Sequence, residues 1–178
     1  MILGLDVSTS IVGVCVLENS EIVYTDYIDL RKIRNFFSKA EEVKRRLQEI
    51  KKRFGIEHIY IEQALTFFRR GGSTANTMAI LQRFNGAISW LCYDLYRIEP
   101  SYVTPNGARS TCGIKVRRGE KAKDVVMNHF IESKEFEIVY TKHGNVQKYC
   151  YDIADAIIVA RAGYYLQHPG QKIILDKP

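Results

Sequence analysis

Four carboxylates in this 178-residue sequence are placed where they could share one charge-neutralising ion. Asp6 ends the apolar run that begins at Ile2, and Glu62 follows Ile59, Tyr60 and Ile61 in the same way. If these runs are neighbouring strands, their backbones lie about 4.8 Å apart, and both carboxylates converge at the C-terminal edge of a sheet. Asp152 and Asp155 are three residues apart at the start of a predicted helix, a spacing that puts both on one face. A charge at the end of an apolar strand is costly without a partner. Four like charges in one place raise that cost, and a bound divalent cation removes it. Oxygen-only donors of this kind suit Mg²⁺ or Mn²⁺.

Each acid also has a plainer explanation. An aspartate before Ser8, Thr9 and Ser10 is often only a turn or cap residue. Aspartates in the first turn of a helix favour its dipole, which would account for Asp152 and Asp155. Glu62 alone could belong to an ion pair. The four together, in this order and strand context, argue for shared chemistry more strongly than any one of them.

A second set of residues points to a polyanion. Arg109, Lys115, Arg117, Arg118, Lys121 and Lys123 fall within fifteen residues, with only Glu120 opposing them. Such runs are usually solvated faces, but cations so dense could also neutralise phosphates and make binding salt-dependent. The net charge of +6 and a pI of about 9.1 lean the same way. Phe67 and Phe68 precede Arg69, Arg70, Gly71 and Gly72. Loop aromatics either fold back on a core or stack on bases, and stacking is worth roughly 1–3 kcal/mol per base. Residues 31–53 carry ten Lys or Arg against three Glu, and the solvated-face reading suffices there.

Other chemistries find little support. Cys15, Cys92, Cys112 and Cys150 are scattered, with no CxxC pair to suggest zinc or a disulfide framework, so a reducing, cytoplasmic setting is expected. His58, His129, His143 and His168 have no metal-ligand spacing. No phosphate-binding GxxxxGK[ST] loop is present, so no nucleotide triphosphate is expected as a partner. No apolar run reaches bilayer length, and the N-terminus does not read as a signal peptide, so no membrane partner is expected.

The elements that must position these residues follow from periodicity. Residues 2–7, 11–17 and 21–29 read as strands, the last two joined by a turn at Glu18, Asn19 and Ser20. A helix is predicted over 35–54, stopped by Gly55, followed by a strand at 57–62. A long helix is predicted from an N-cap at Ser73 to about 97, then a short strand at 101–104 and a short helix at 106–112. A helix over 120–132, a short strand at 136–140, a polar loop at 141–148 and a helix over 151–166 complete the pattern. Residues 1–166 thus read as one α/β domain with a mixed sheet, and 167–178 as a loosely attached tail.

At this level of detail the sequence resembles the RuvC-like Holliday junction resolvases of the RNase H-like superfamily. The resemblance is carried in order by ILGLDVSTSIVGVCVL, IYIEQALTFF, GIKVRRGEKAKDVVMNHF and YDIADAIIVARA, and it spans about residues 2–165. It implies an RNase H-like fold: a five-stranded mixed β-sheet flanked by helices, with strands 1 and 4 adjacent. It implies that Asp6, Glu62, Asp152 and Asp155 are catalytic and bind two Mg²⁺ ions, with Mn²⁺ able to substitute. It also implies that Lys121 lies near the scissile phosphate, that the basic segment contacts DNA, and that an aromatic at Phe67 or Phe68 wedges into the junction. A homodimer acting on a two-fold symmetric four-way junction follows from the same likeness.

The sequence departs from the bacterial pattern in four places. Val7 and Ser8 replace the usual Pro-Gly, Ala108 stands at the apparent match to a basic residue with Arg109 next to it, residues 134–150 are long, and Arg161 occupies the neighbourhood where some members carry histidine. These departures suggest a divergent branch of phage or other viral origin. Alternatives of other kinds are a broader nuclease acting on branched DNA or RNA–DNA hybrids, and a catalytically silent junction-binding protein.

Overall fold

The computed structural model describes residues 1–64 and 75–171. Five strands form one sheet in the order β3-β2-β1-β4-β5. Strands β1 (Ile2–Val7), β2 (Ile11–Glu18) and β3 (Glu21–Asp29) make an antiparallel meander. Strands β4 (His58–Glu62) and β5 (Ser101–Val103) run parallel to β1. This is the mixed five-stranded sheet of the RNase H-like fold, with β1 and β4 adjacent as expected.

Helices cover both faces. Helices α1 (Phe36–Arg53) and α2 (Ala75–Tyr96) cover one. Helices α3 (Pro105–Thr111), α4 (Ala122–Ser133) and α5 (Lys148–Gln167) cover the other. That is why β2 is buried from Ile11 through Leu17 instead of alternating: both of its faces meet apolar layers. The core therefore divides in two. Leu3, Leu5 and Val7 join Leu47, Phe84 and Ile88 on one side, while Ile2, Cys15 and Leu17 join Phe130 and the α5 alanines on the other.

Local chemistry sets several boundaries. Asn35 caps α1 by accepting from the Ser38 N–H at 3.0 Å, a contact worth about 1 kcal/mol. Phe54 is already extended, so α1 ends at Arg53, one residue earlier than expected. Thr104, expected in the fifth strand, instead caps α3 by accepting from Gly107 N–H at 3.0 Å. The predicted cap Ser73 lies outside the described residues.

Two expectations are corrected. Residues 136–140 form no strand. Phe136 and Ile138 bury against the α5 layer, so their alternation reflects burial on helices rather than pairing, and the only pairing there is an isolated Tyr140–Val146 bridge. Helix α5 begins at Lys148, not at 151. It also runs one residue past the expected boundary at 166. The Tyr164 hydroxyl donates to Gln171 Oε1 at 2.6 Å and its ring stacks on His168, so the first residues of the tail are held to the domain.

Candidate active site

Parity along the strands decides which side chains meet. Successive side chains point to opposite faces of a sheet. In β1, Leu3, Leu5 and Val7 pack with α1 and α2, which leaves Gly4 and Asp6 facing α5. In β4, Ile59 and Ile61 take the α1–α2 side, which leaves Tyr60 and Glu62 on the α5 side. The register sets Leu5 beside Ile61, so Asp6 and Glu62 follow one step later at the same end of adjacent strands.

Helix α5 brings the other two acids, and small residues let it come close. A Cβ on Gly4 would stand 2.6 Å from the Ala156 carbonyl oxygen and the Ala160 Cβ. A Cβ on Gly13 would stand 1.9 Å from the Asp152 carbonyl oxygen. Gly13 pairs with Asp6 across β1 and β2. The backbone of Asp152 therefore rests directly against the residue opposite Asp6. Because α5 starts at Lys148, its first turn holds no acid, so the helix dipole does not account for Asp152 and Asp155.

The four acids act on one another. Asp6 is pushed well above the usual carboxylate range, first by burial and then by Glu62, Asp155 and Asp152. Burial and Asp155 push Glu62 up to about 7, although Arg109 and Lys123 oppose the rise. Burial lifts Asp152 to about 6, with Lys123 opposing and Asp155 adding to it. Asp155 is raised by burial against the pull of Lys123 and Arg109. Among the described residues, no three His, Cys, Asp or Glu side chains are drawn together closely enough to hold an ion as they stand.

Among the described residues, Lys123 is the cation that pairs with this cluster, with Nζ 3.9 Å from Asp155 Oδ2. Burial disfavours its ammonium, but Asp155, Asp6, Asp152 and Glu62 together outweigh that and raise its pKa. Lys121, the expected partner of the scissile phosphate, is the N-cap of α4 and lines a cleft beside Asp152. Arg109 sits on α3, hydrogen-bonded to Asn106 Oδ1 at 2.5 Å, on the side of Glu62 and Asp155. Lys115, Arg117 and Arg118 are exposed on the connection between α3 and α4, where Gly119 turns the chain with a φ of 93°. Phe67, Phe68, Arg69 and Arg70 lie outside the described residues.

Some contributors were not legible beforehand. Asn85 of α2 is buried and donates from Nδ2 to the Glu62 carbonyl at 3.0 Å, tying that helix to the strand end. A buried polar residue on an otherwise apolar helix stripe was its only signal. Arg31 and Lys148 join Lys121 and Lys123 around the cleft, which has a volume of about 710 Å³. Arg31 was hidden in a long basic stretch, and Lys148 in a segment read as loop. Arg161 pairs with Glu135, beside His129 and away from the acids, and so fastens the long 134–150 segment to α5.

No family model and no curated protein matches this sequence. Solved structures do. Thermus thermophilus RuvC in complex with a Holliday junction substrate aligns with a TM-score of 0.65 at 15% identity, over 94% of each chain. Another structure of the T. thermophilus protein aligns with a TM-score of 0.61 at 16% identity, over 94% of this chain and 96% of that one. The yeast mitochondrial Holliday junction resolvase Ydc2 aligns at 0.59 and 16% identity, over 94% of this chain and 78% of that one. The chain thus has the fold of the RuvC-like resolvases, an RNase H-like mixed sheet, carried by a sequence far diverged from theirs.

Proposed function

We propose that this protein is a divalent-metal-dependent endonuclease that resolves four-way DNA junctions. The observation that carries this reading is the convergence of Asp6, Glu62, Asp152 and Asp155 at one end of β1 and β4 under α5, each with a raised pKa. A neighbour of the same fold was solved on a Holliday junction. The donor set fits hard cations: it is all carboxylate, and its charges oppose one another. These four residues would hold two Mg²⁺ ions, or Mn²⁺. When bound, the ions supply an acidified water and neutralise the departing 3′-oxygen, leaving a 5′-phosphate.

The protein's own groups do the rest. Lys123 balances the acids and would meet charge developing on the phosphoryl oxygens, a role supported by its position beside Asp155. The resemblance gave that role to Lys121, which we assign to the bound strand together with Lys115, Arg117 and Arg118. Arg109 stands on the opposite flank of the cluster. Phe67, Phe68, Arg69 and Arg70 are proposed to meet the junction centre.

The deciding experiment compares four-way, three-way, flap and RNA–DNA hybrid substrates in Mg²⁺ and in EDTA. Preferential, paired, EDTA-sensitive cutting of the four-way junction is expected. Equal cutting of flaps or hybrids would replace this reading with the broader nuclease, and binding without any cutting would replace it with the silent binder.

The raised pKa values predict how stability responds to pH and cations. An acid whose folded pKa lies above its unfolded value stabilises the fold fully below the unfolded pKa, near 4. That contribution is lost as pH rises through the folded values, about 6 for Asp152 and about 7 for Glu62. In EDTA the melting temperature is therefore expected to be lower at pH 8 than at pH 5.5, and Ca²⁺ or Mg²⁺ to restore more of it at pH 8. Equal stabilisation by the cation at both pH values would count against a shared carboxylate site.

Two symmetric nicks need two active sites, so a homodimer is proposed. Helix α2 exposes Trp90 at 62% and Tyr93 at 48%, large aromatics that a partner copy would cover. Trp90→Glu is expected to leave the melting temperature of the fold nearly unchanged but shift the mass by light scattering from dimer to monomer. A monomeric wild type at micromolar concentration, with and without junction, would remove the dimer from this reading.

A further inference from the structure

Cations flank the acidic cluster on two sides, and one flank adds Arg31 and Lys148, which lie outside the segment that first suggested DNA contact. Arg109 acts on Glu62 and Asp155 from α3. On the other side, next to Asp152, lies the 710 Å³ cleft between the β1–β2 turn, the start of α1's leading loop and the starts of α4 and α5. Four cations from three separate parts of the chain meet there: Arg31, Lys121, Lys123 and Lys148. Asp124 and Asp152 are the acids in its lining, so the cleft is net positive.

These cations are not equivalent. Asp29 holds the Arg31 guanidinium with two hydrogen bonds of 2.9 and 2.7 Å, which fixes its direction and offsets its charge. Lys123 is committed to Asp155. Lys121 and Lys148 are exposed, and among the described residues neither has an ion-pair partner. Lys148 occupies the first turn of α5, where a cation works against the helix dipole. Its position therefore costs stability locally and is better explained by a ligand than by the fold. Ser8 is occupied with the β1–β2 turn, accepting from Ile11 N–H and donating to the Ile11 carbonyl, so it shapes the cleft wall and leaves anion contact to the lysines.

We infer that this cleft is a phosphate seat for the substrate strand on one side of the cleaved bond, with Lys148 and Lys121 as its contacts and Arg31 as a fixed wall. The strand then runs from Arg109, across the acids, into the cleft. The inference rests on the nuclease reading above and adds the direction in which the strand leaves the site. It gives Lys148 a positioning role and leaves the chemistry to the acids.

The test is binding in Ca²⁺ to four-way junctions that carry a single neutral methylphosphonate, moved one linkage at a time along the cut strand. The wild type is expected to lose affinity roughly three- to fivefold at one linkage within a few nucleotides of the cut, the scale of one exposed charge pair. Lys148→Gln is expected to bind the unmodified junction that much more weakly and to lower the salt slope by about one unit. It should show no further loss at that same linkage while keeping the normal losses elsewhere. Its melting temperature should equal that of the wild type or exceed it, which keeps misfolding from mimicking the result. If the losses from Lys148→Gln and from the methylphosphonate simply multiply at every linkage, the seat is overturned while the nuclease reading stands. If the wild type binds no junction, both fall together.

Discussion

Asp6→Asn is expected to abolish cleavage while leaving the junction bound at least as tightly and the metal-free fold more stable. Asp6 is the acid with the most against its charge: burial first, then three neighbouring carboxylates. Replacing it with a neutral isostere removes a site where ionisation opposes folding, so at neutral pH in EDTA the variant should melt higher than the wild type. It also removes one negative charge from the surface proposed to receive phosphate. Cleavage should nonetheless fall by at least about a hundred- to a thousandfold, the cost of losing one preorganised electrostatic contact to a transition state. The measurement is single-turnover cleavage at saturating enzyme, beside melting in EDTA and binding in Ca²⁺. A variant that melts higher yet cuts at a near wild-type rate would show that Asp6 is a buried acid that only opposes folding and not part of the machinery.

Gly13→Ala should lower stability and activity together, although Gly13 offers no functional group. Its added Cβ would lie 1.9 Å from the Asp152 carbonyl oxygen, and the obstacle is backbone, which cannot rotate aside. Overpacking typically costs about 1–3 kcal/mol, and this clash belongs at the upper end, which for a domain of this size lowers the melting temperature by about 6–12 °C. Any relief by a shift of α5 carries Asp152 and Asp155 away from Asp6 and Glu62, so residual cleavage should drop further than residual stability explains. Gly55→Ala is the control, because a Cβ there meets nothing within 4 Å. If Gly13→Ala melts and cuts like Gly55→Ala, α5 is not seated on β2 at this point.

The sequence carried the topology well because its signals were of one kind. The apolar runs of β1, β2 and β4 and the punctuation by turn residues are local, and all five strands were legible from them. Asp6 and Glu62 stood out because charges at the ends of apolar runs need a reason, and Asp152 and Asp155 because their spacing sets them on one helix face. What escaped notice depended on what lies across from a residue. Residues 136–140 alternate like a strand, yet Phe136 and Ile138 find their apolar partners on helices. The start of α5 was placed late because Gln147 caps it without a side-chain hydrogen bond, leaving no Ser, Thr, Asp or Asn to mark it. Lys121 and Lys123 are two positions apart in one basic run, and only the packing of α4 against α5 decides that the second reaches Asp155. Gly13 read as a neutral residue in a strand, because a close approach has no signature until the approaching helix is known.

The order of the elements along the chain has a consequence for when the four acids can come together. Asp6 and Glu62 lie on strands made early, but Asp152 and Asp155 arrive with α5, after every strand of the sheet has been made. Helix α5 is also the main cover for the β1–β2 surface that holds Gly4 and Gly13. A nascent chain still missing α5 thus has neither a complete acid set nor a closed core on that face. Assembly of the acid cluster and completion of the fold arrive in the same step of synthesis. A product truncated before α5 would hold Asp6 and Glu62 on a sheet with its α5 face uncovered, with two of the four acids missing.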